Sequence, residues 1–327
     1  MRLTAREKEI YDFLKKDPLI TQEDLAGHFG ITRSSVAVHI SNLMKKGYIM
    51  GRGYVFNEQV SAVVVGETFL QILVDGETGK NTINYKPSGF AFEVSNTLAR
   101  FGINVKIVTV IGDDHLGSTF LDHLQKLNVD TTNVLRYSNK RSARRVFVGD
   151  EKYEESFDQA YYLRAFQERE WVLLNCQWLI IDWQFQEQFY SLALNKEEER
   201  LPNFCSFRML NYPEKIPDYL EKYYLVVLGT DRPEHVNYYS EQLLQLSRKG
   251  LQNAIITDGK TVLVYIRNNN LAEFPLLPNQ SFETHNRLPF LLAGVLYGLL
   301  SGFPLRQSIR IGVGVATSME PNGDFKI

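Results

Sequence analysis

Two hydrophobic periods divide the chain. Over the first fifty-odd residues apolar side chains recur at helical spacing, as Ile10, Phe13 and Leu14, then Leu25, Ala26 and Phe29, then Val36, Ile40 and Leu43. Each group follows a helix-start signal. Thr4-Ala5-Arg6-Glu7 is a capping box, in which the threonine hydroxyl takes the amide three residues on and the glutamate reaches back. Thr21-Gln22-Glu23-Asp24 opens a second helix and Thr32 a third, and Asp17-Pro18, Gly30 and Gly47 close the three. Tyr48-Ile49-Met50 and Tyr54-Val55-Phe56 flank Gly51-Arg52-Gly53, which predicts a β-hairpin.

From Ser61 the period changes. Ala62-Val63-Val64-Val65-Gly66 reads as a buried strand, and Pro87-Ser88-Gly89 leads into a helix carrying Ala91, Val94, Leu98 and Phe101 before Gly102. Residues 105–111 read as one continuous strand that ends in Gly112-Asp113-Asp114-His115-Leu116-Gly117, with another helix after it. Further strands are predicted at 178–181, 225–228 and 254–257, the last turning at Gly259 into 261–265. An apolar helix over 291–300 follows a polar turn, and a small-residue helix runs through Ile309, Gly312, Gly314 and Ala316. Alternating strands and helices predict an α/β fold with a parallel sheet covered on both faces. The expected division is a head, residues 1–57, and a body, residues 61–327.

Composition narrows the class. With 327 residues, 44% of them hydrophobic, there is core enough for two domains. The net charge of −2 is unevenly placed: residues 1–57 hold nine Lys/Arg against six Asp/Glu, so the head is +3 and the remainder −5. That asymmetry is expected of a DNA-binding appendage. Cys176 and Cys205 are too few for an oxidised scaffold and lack ligand-spaced partners for zinc, so buried thiols are expected. The opening Met1-Arg2-Leu3 leads straight into a charged helix, and the longest apolar run, 288–305, is broken by Gly and Pro. A cytoplasmic protein with no membrane partner is expected. The acidic runs 150–155 and 196–200 read as solvated loops or helix faces.

Three helices and a hairpin, with the phrase from Ile31 to Gly53, resemble the winged helix-turn-helix of bacterial regulators, including the heads fused to some ribokinase-family proteins. The resemblance implies a third helix in the major groove of operator DNA and a wing on the backbone. With Val36, Ile40 and Leu43 inward, Ser35, Val38, His39, Asn42, Lys45 and Lys46 are expected to project outward. Arg33, Ser34 and Ser35 lie at the end that reaches base edges, and Lys45, Lys46 and Arg52 suit phosphates.

The body resembles the ribokinase (PfkB) family of carbohydrate and nucleoside kinases from about residue 63 to 317. Its most specific intact pieces are Leu98-Ala99-Arg100-Phe101-Gly102 and Val110-Ile111-Gly112-Asp113-Asp114-His115-Leu116-Gly117. The resemblance implies a ribokinase-like three-layer sheet with a small β lid, in which the Gly-Asp-Asp turn is chiefly structural. In the family a turn reading Asp-Thr-Thr-Gly-Ala-Gly-Asp supplies glycine amides for the transferred phosphate and a final Asp as base. Here the glycines fall on Asn286 and Leu288 and the base on Pro289, while Arg287 leaves a cation nearby. No catalytic residue is therefore expected, and the nearest substitutes, Glu283 and His285, are expected to precede the helix.

At the substrate end, Phe69 and Gln71 replace the family's Asn and Asp, Ser88-Gly89 replaces its Gly-Gly, Glu93 replaces an Asn, and Asp182 matches a polar position. Gln71, Gly89, Glu93 and Asp182 are thus candidate contacts for a changed ligand, and a filled cleft is the competing expectation. Thr230-Asp231-Arg232-Pro233-Glu234 matches the family's magnesium motif only loosely, and Thr257 and Gly259 border its nucleotide. Segments 82–85 and 143–148 match the lid, which pairs two subunits in many members.

The leading expectation is a DNA-binding regulator with a degenerate kinase-like body that senses a sugar or nucleoside effector or only forms a homodimer, with no cofactor. The alternatives are an active sugar or nucleoside kinase, acting like the pseudouridine kinases with such heads and needing ATP and magnesium, and an interaction protein in which neither site functions.

Overall fold

Threonine caps and apolar stripes set the helices of the first unit in the computed structural model, which describes residues 4–17, 20–45, 49, 60–75, 82–149, 151–194 and 201–318. These are α1 (Ala5–Lys16), α2 (Gln22–Phe29) and α3 (Arg33–Lys45). The Thr4 hydroxyl accepts the Glu7 amide at 3.2 Å while the Glu7 carboxylate accepts the Thr4 amide at 2.7 Å, the predicted capping box. Thr21 caps α2 through the Asp24 amide at 3.1 Å. Ile10, Leu14, Leu25, Val36, Ile40, Leu43 and Ile49 close one small core. Apart from Ile49, the expected hairpin lies outside the described residues.

The chain divides into residues 1–59 and 60–327. The second unit begins with β1 (Val60–Val65), β2 (Phe69–Asp75), β3 (Thr82–Ser88), α4 (Phe90–Arg100), β4 (Val105–Val108), β5 (Val110–Gly112) and α5 (His115–Lys126). It continues with β6 (Leu135–Tyr137), β7 (Arg144–Val148), β8 (Glu151–Glu155), α6 (Gln159–Glu168), α7 (Glu170–Leu174), β9 (Cys176–Ile181), α8 (Gln186–Leu194) and β10 (Asn203–Met209). Last come β11 (Leu225–Gly229), α9 (Pro233–Lys249), β12 (Asn253–Thr257), β13 (Val262–Arg267), β14 (Asn270–Pro275), α10 (Thr284–Leu300) and α11 (Leu305–Ser318).

The main sheet runs β14-β13-β12-β11-β10-β9-β1-β4, parallel from β12 to β4 and antiparallel at the β13 and β14 edge. Successive strand residues point to opposite faces. Accordingly Val63, Val65, Leu179 and Ile181 enter one core cluster, and Ala62, Val64, Trp178 and Ile180 enter the other. That two-sided burial is why the strands are apolar throughout. Cys176 and Cys205 are buried free thiols, and burial pushes Cys176 up to about 12. On the second face α10 and α11 pack backbone to backbone, because a Cβ on Gly294 would stand 2.7 Å from the Gly312 Cα.

Two expectations are corrected. Residues 105–111 are not one strand: the ladder of the main sheet stops at Val108, and β5 joins β6 in a separate pair. The Thr109 hydroxyl, which donates to the Gly66 carbonyl at 2.7 Å, holds the break. The acidic run after Asp150 is not loop or helix but strand β8, paired antiparallel with β7. The run 196–200 lies outside the described residues. The Gly-Asp-Asp turn is structural: Asp114 caps α5 through the Gly117 amide at 2.8 Å and accepts from the Ser142 amide and hydroxyl at 2.9 and 2.6 Å.

Candidate functional site

A second sheet, β3-β2-β7-β8, supplies one wall of a cleft of about 570 Å³. Register decides which of its side chains face inward. Lys86, Gln71, Arg145 and Glu154 lie directly opposite one another on successive strands and share a face. Tyr85, Ile72, Val146 and Tyr153 form the adjacent row on the other face. The inner row is polar and lines the cleft, except that Glu154 reaches it through Arg145. The outer row is apolar, with Tyr85 and Tyr153 exposed.

The remaining walls come from the ends of β1 and β9 and the first turns of α4 and α10. Gln71, Gly89, Glu93 and Asp182, proposed from three separate segments, line this one cleft together with Asn286, Arg287 and Pro289. Gly89 is there for its backbone: φ is +101°, and a Cβ would stand 2.6 Å from the Glu67 carbonyl oxygen.

The α10 turn differs from expectation. The helix begins at Thr284, about two turns before residue 291. Glu283 is the N-cap and His285 lies inside the helix, so only Glu283 precedes it. Pro289 is an interior residue rather than a first-turn one, and it offers no amide to the His285 carbonyl. The Arg287 amide already donates to the Glu283 carbonyl at 3.0 Å. Leu288 points away from the cleft into the core, fully buried, with its methyls against Gly229. The first turn is fastened to the strand ends as well. The Phe282 amide donates to the Gly259 carbonyl at 2.7 Å, the Thr284 hydroxyl donates to the Thr230 carbonyl at 3.2 Å, and His285 meets Asp231 at 2.8 Å.

Around Thr257 and Gly259 the contacts are internal. The Thr257 hydroxyl donates to the Val262 carbonyl at 2.7 Å and accepts the Gly259 amide at 2.9 Å. A Cβ on Gly259, whose φ is +74°, would lie 2.3 Å from the Phe282 carbonyl oxygen. Asp231 is engaged by His285, and Glu234 sits exposed in the first turn of α9. Among these groups the Gly259 amide and the Asp231 carboxylate already have partners within the protein, while Glu234 faces solvent.

Several cleft residues were not foreseen. Glu67 and Arg145, far apart in sequence, form an ion pair at 2.7 Å, and Arg145 also bonds Glu154 at 2.9 Å and lies 4.0 Å over the Phe69 ring. The Glu67 amide donates to Asp182 at 3.1 Å. Burial, then the Glu67 charge, pushes the Asp182 carboxyl up to about 7, against the Glu67 and Gln184 amides and Arg145. At the other end Ser88 donates to Glu93 at 2.7 Å. Burial raises the Glu93 carboxyl, opposed by Ser88, Lys86 and Arg287, and burial lowers Lys86, helped by Arg287 and opposed by Glu93. The one sequence signal was strand character: Arg145 lay within the lid segment 143–148, and Lys86 directly followed the segment 82–85.

In the head, Arg33 and Ser34 are exposed at the start of α3, with Arg33 paired to Glu23 at 3.4 Å. Ser35, His39 and Asn42 are half-buried beside the core row, and the His39 Nδ1 is buried without a partner. The outward row is Ser34, Ala37, Val38 and Ser41: Val38 projects as expected, while Ser35, His39 and Asn42 turn partly toward the core. Lys45 closes α3, while Lys46 and Arg52 lie outside the described residues.

Comparison with known proteins agrees with this division. Residues 3–50 match the winged helix-turn-helix DNA-binding family, and residues 60–181 match the pfkB family of carbohydrate kinases. The uncharacterised sugar kinase YeiI of Escherichia coli is 36% identical over 141 residues, 41% of this chain and 39% of that protein. An uncharacterised protein of Methanocaldococcus jannaschii is 41% identical over 51 residues, 15% of this chain and 20% of its own length. The chain thus spans well under half of either relative. Among solved structures, a PfkB protein from Polaromonas has a TM-score of 0.60 at 14% identity, covering 79% of this chain and 95% of its own. Ribokinase from Thermotoga maritima has 0.59 at 16%, covering 79% and 92%, and fructokinase from Xylella fastidiosa with bound ATP has 0.57 at 15%, covering 80% and 94%. No helix among the described residues is long and apolar enough to cross a membrane. The chain therefore joins a winged helix-turn-helix DNA-binding segment to a body of ribokinase-like fold that matches the pfkB carbohydrate kinase family over residues 60–181.

Proposed function

We propose that this chain is a DNA-binding transcriptional regulator whose kinase-derived body senses a small molecule and does not transfer phosphate. One observation carries the reading: the segment that should hold a base and bare amides is wound into α10, with Leu288 in the core and Pro289 inside the helix. Removing a positioned base costs about two to four orders of magnitude in rate, and removing oxyanion-type donors costs about 10²–10³ more. The cleft itself stays open, which favours a changed ligand over a filled cavity. The exposed N-terminal end of α3, with Arg33 and Ser34, and its outward row of Ala37, Val38 and Ser41 supply the reading face.

A homodimer is part of the proposal. The outer face of the lid sheet presents Ile83 at 64% exposure and Tyr153 at 57% beside Tyr85 and Val148, an apolar surface that a two-fold partner would cover. Such a pair would bring two heads into one particle, as a palindromic operator requires.

The test is a mobility shift with DNA from the protein's own promoter region at two salt concentrations, with Arg33→Ala alongside, together with ATP turnover on a panel of sugars and nucleosides. A shift that weakens with salt and with the variant, and no turnover, is expected. No shift at low salt, or turnover above about 0.1 per second, overturns the reading. The second reading, an active kinase, has one observation in its favour: Glu93 lines the same cleft as Arg287 and feels its charge, so a carboxylate does stand near the α10 tip. The turnover assay decides between them.

A further inference from the structure

The outward side of α3 carries short side chains where a reader of guanine, adenine or cytosine would carry long ones. Val36, Ile40 and Leu43 are drawn into the core of the head. At roughly 100° per residue, Val38 stands about 200° round the helix from both Val36 and Ile40. It is 58% exposed midway along α3, with Ser34 one turn before it, Ser41 one turn after it and Ala37 beside it. Nothing local asks for a valine at this place. A β-branched side chain lowers helix propensity, and this one adds little to the core. Met44, also exposed, lies about 120° round the helix from Val38, off its row.

Each base edge in the major groove selects a different side chain. Guanine N7 and O6 take a bidentate Arg or Lys, adenine N6 and N7 take Asn or Gln, and cytosine N4 takes a carboxylate. None of these occurs among the described side chains of the outward row, Ser34, Ala37, Val38 and Ser41. The one arginine of α3, Arg33, stands at its first position and is paired to Glu23 at 3.4 Å, and Asn42 is half-buried beside the core row. Serine hydroxyls both donate and accept, so by themselves they choose no base. An aliphatic side chain chooses thymine, whose 5-methyl is the apolar feature of the groove. Short neighbours let the helix backbone come close enough for that contact. Their shortness also argues against a protein partner, whose site would be anchored by aromatic or arginine side chains.

We propose that Val38 reads a thymine through its methyl group, so that the head requires a T·A pair at one fixed position of its site. This rests on the DNA-binding reading of the head and names the base chemistry that the reading leaves open.

The experiment is selection of duplexes from a random pool by the full chain, followed by mobility shifts on the enriched duplex. Thymine is expected at a fixed position of the enriched site. Replacing that thymidine alone with deoxyuridine, which lacks the methyl, should weaken binding about fourfold, the worth of one buried methyl group. Val38→Ser should lose both the enrichment at that position and the deoxyuridine penalty, whereas Val38→Thr, which keeps a methyl, should retain both. Salt dependence should be the same for all three proteins, because no phosphate contact changes. The proposal is overturned if Val38→Ser enriches the same bases as the parent. It is overturned equally if deoxyuridine binds as tightly as thymidine at every enriched thymine, or if duplexes are retained without sequence preference. In each of those cases DNA binding by the head survives. If no duplex is retained at low salt, the DNA-binding reading falls and this one falls with it.

Discussion

Replacing Asp182 with Asn isolates the cost of holding a carboxylate at the buried end of the cleft. Asp182 is 2% exposed, and its ionised form is opposed first by burial and then by Glu67. Its carboxyl keeps its proton up to about 7 in the folded body, against 3.8 in an unperturbed chain. Between those values the folded state holds more protons than the unfolded one, so stability falls as pH rises through the window and levels off above about 7. The slope for one group approaches about 1.4 kcal/mol per pH unit, so from pH 5 to pH 8 the parent should lose about 3 kcal/mol that the asparagine variant keeps. Asparagine still accepts the Glu67 amide, so the change removes charge with little loss of bonding. Urea melts followed by tryptophan fluorescence read the body alone, because Trp171, Trp178 and Trp183 are the chain's three tryptophans. The variant should gain on its parent from pH 5 to about pH 7 and hold that lead to pH 8. Parallel profiles across that range would refute the account of burial and like charge at this end of the cleft.

Other expectations follow from packing. Leu288→Ala removes a fully buried side chain packed on Gly229 and should cost about 2–5 kcal/mol in the same melts; a loss below about 0.5 kcal/mol would show that the side chain is not packed in the core. Pro289→Asp by itself should confer no ATP-dependent turnover, since the amides on either side stay inside α10; phosphorylated product above the parent's background would contradict that. Gly259→Ala forces a Cβ within 2.3 Å of the Phe282 carbonyl at a positive φ and should loosen the α10 tip, read as faster hydrogen exchange at residues 282–287. Ile83→Lys with Tyr153→Lys should leave a monomeric mass in solution where the parent is a dimer, and a parent that sediments as a monomer would remove the two-fold model.

Much of the fold was legible in one dimension because its determinants are local. Capping threonines, helical stripes and apolar strand runs fixed the three helices of the head and the βαβ order of the body, and the motif from Leu98 to Gly117 pointed to the right fold. Thr109 defeated the reading of 105–111 as one strand, because the bond that holds the break goes to the Gly66 carbonyl, just past the end of β1. The strand after Asp150 was missed because its charged residues carry no alternation; only pairing with β7 and the bond from Glu154 to Arg145 hold it as strand.

For the site, the sequence by itself offered an expectation through its family resemblance, which sets a proline and a leucine where a carboxylate and a glycine would be needed. Where those residues went was decided by tertiary structure. Leu288 is drawn into the core by Gly229, and α10 starts early because Thr284 and His285 find partners at the ends of strands whose residues lie more than fifty positions away. Likewise the charged residues lining the cleft include Glu67, Lys86, Glu93, Arg145, Asp182 and Arg287, which stand on six separate segments. No local pattern links them. Which charges meet there depends on sheet register and on how the lid crosses the strand ends, and these are set by long-range packing.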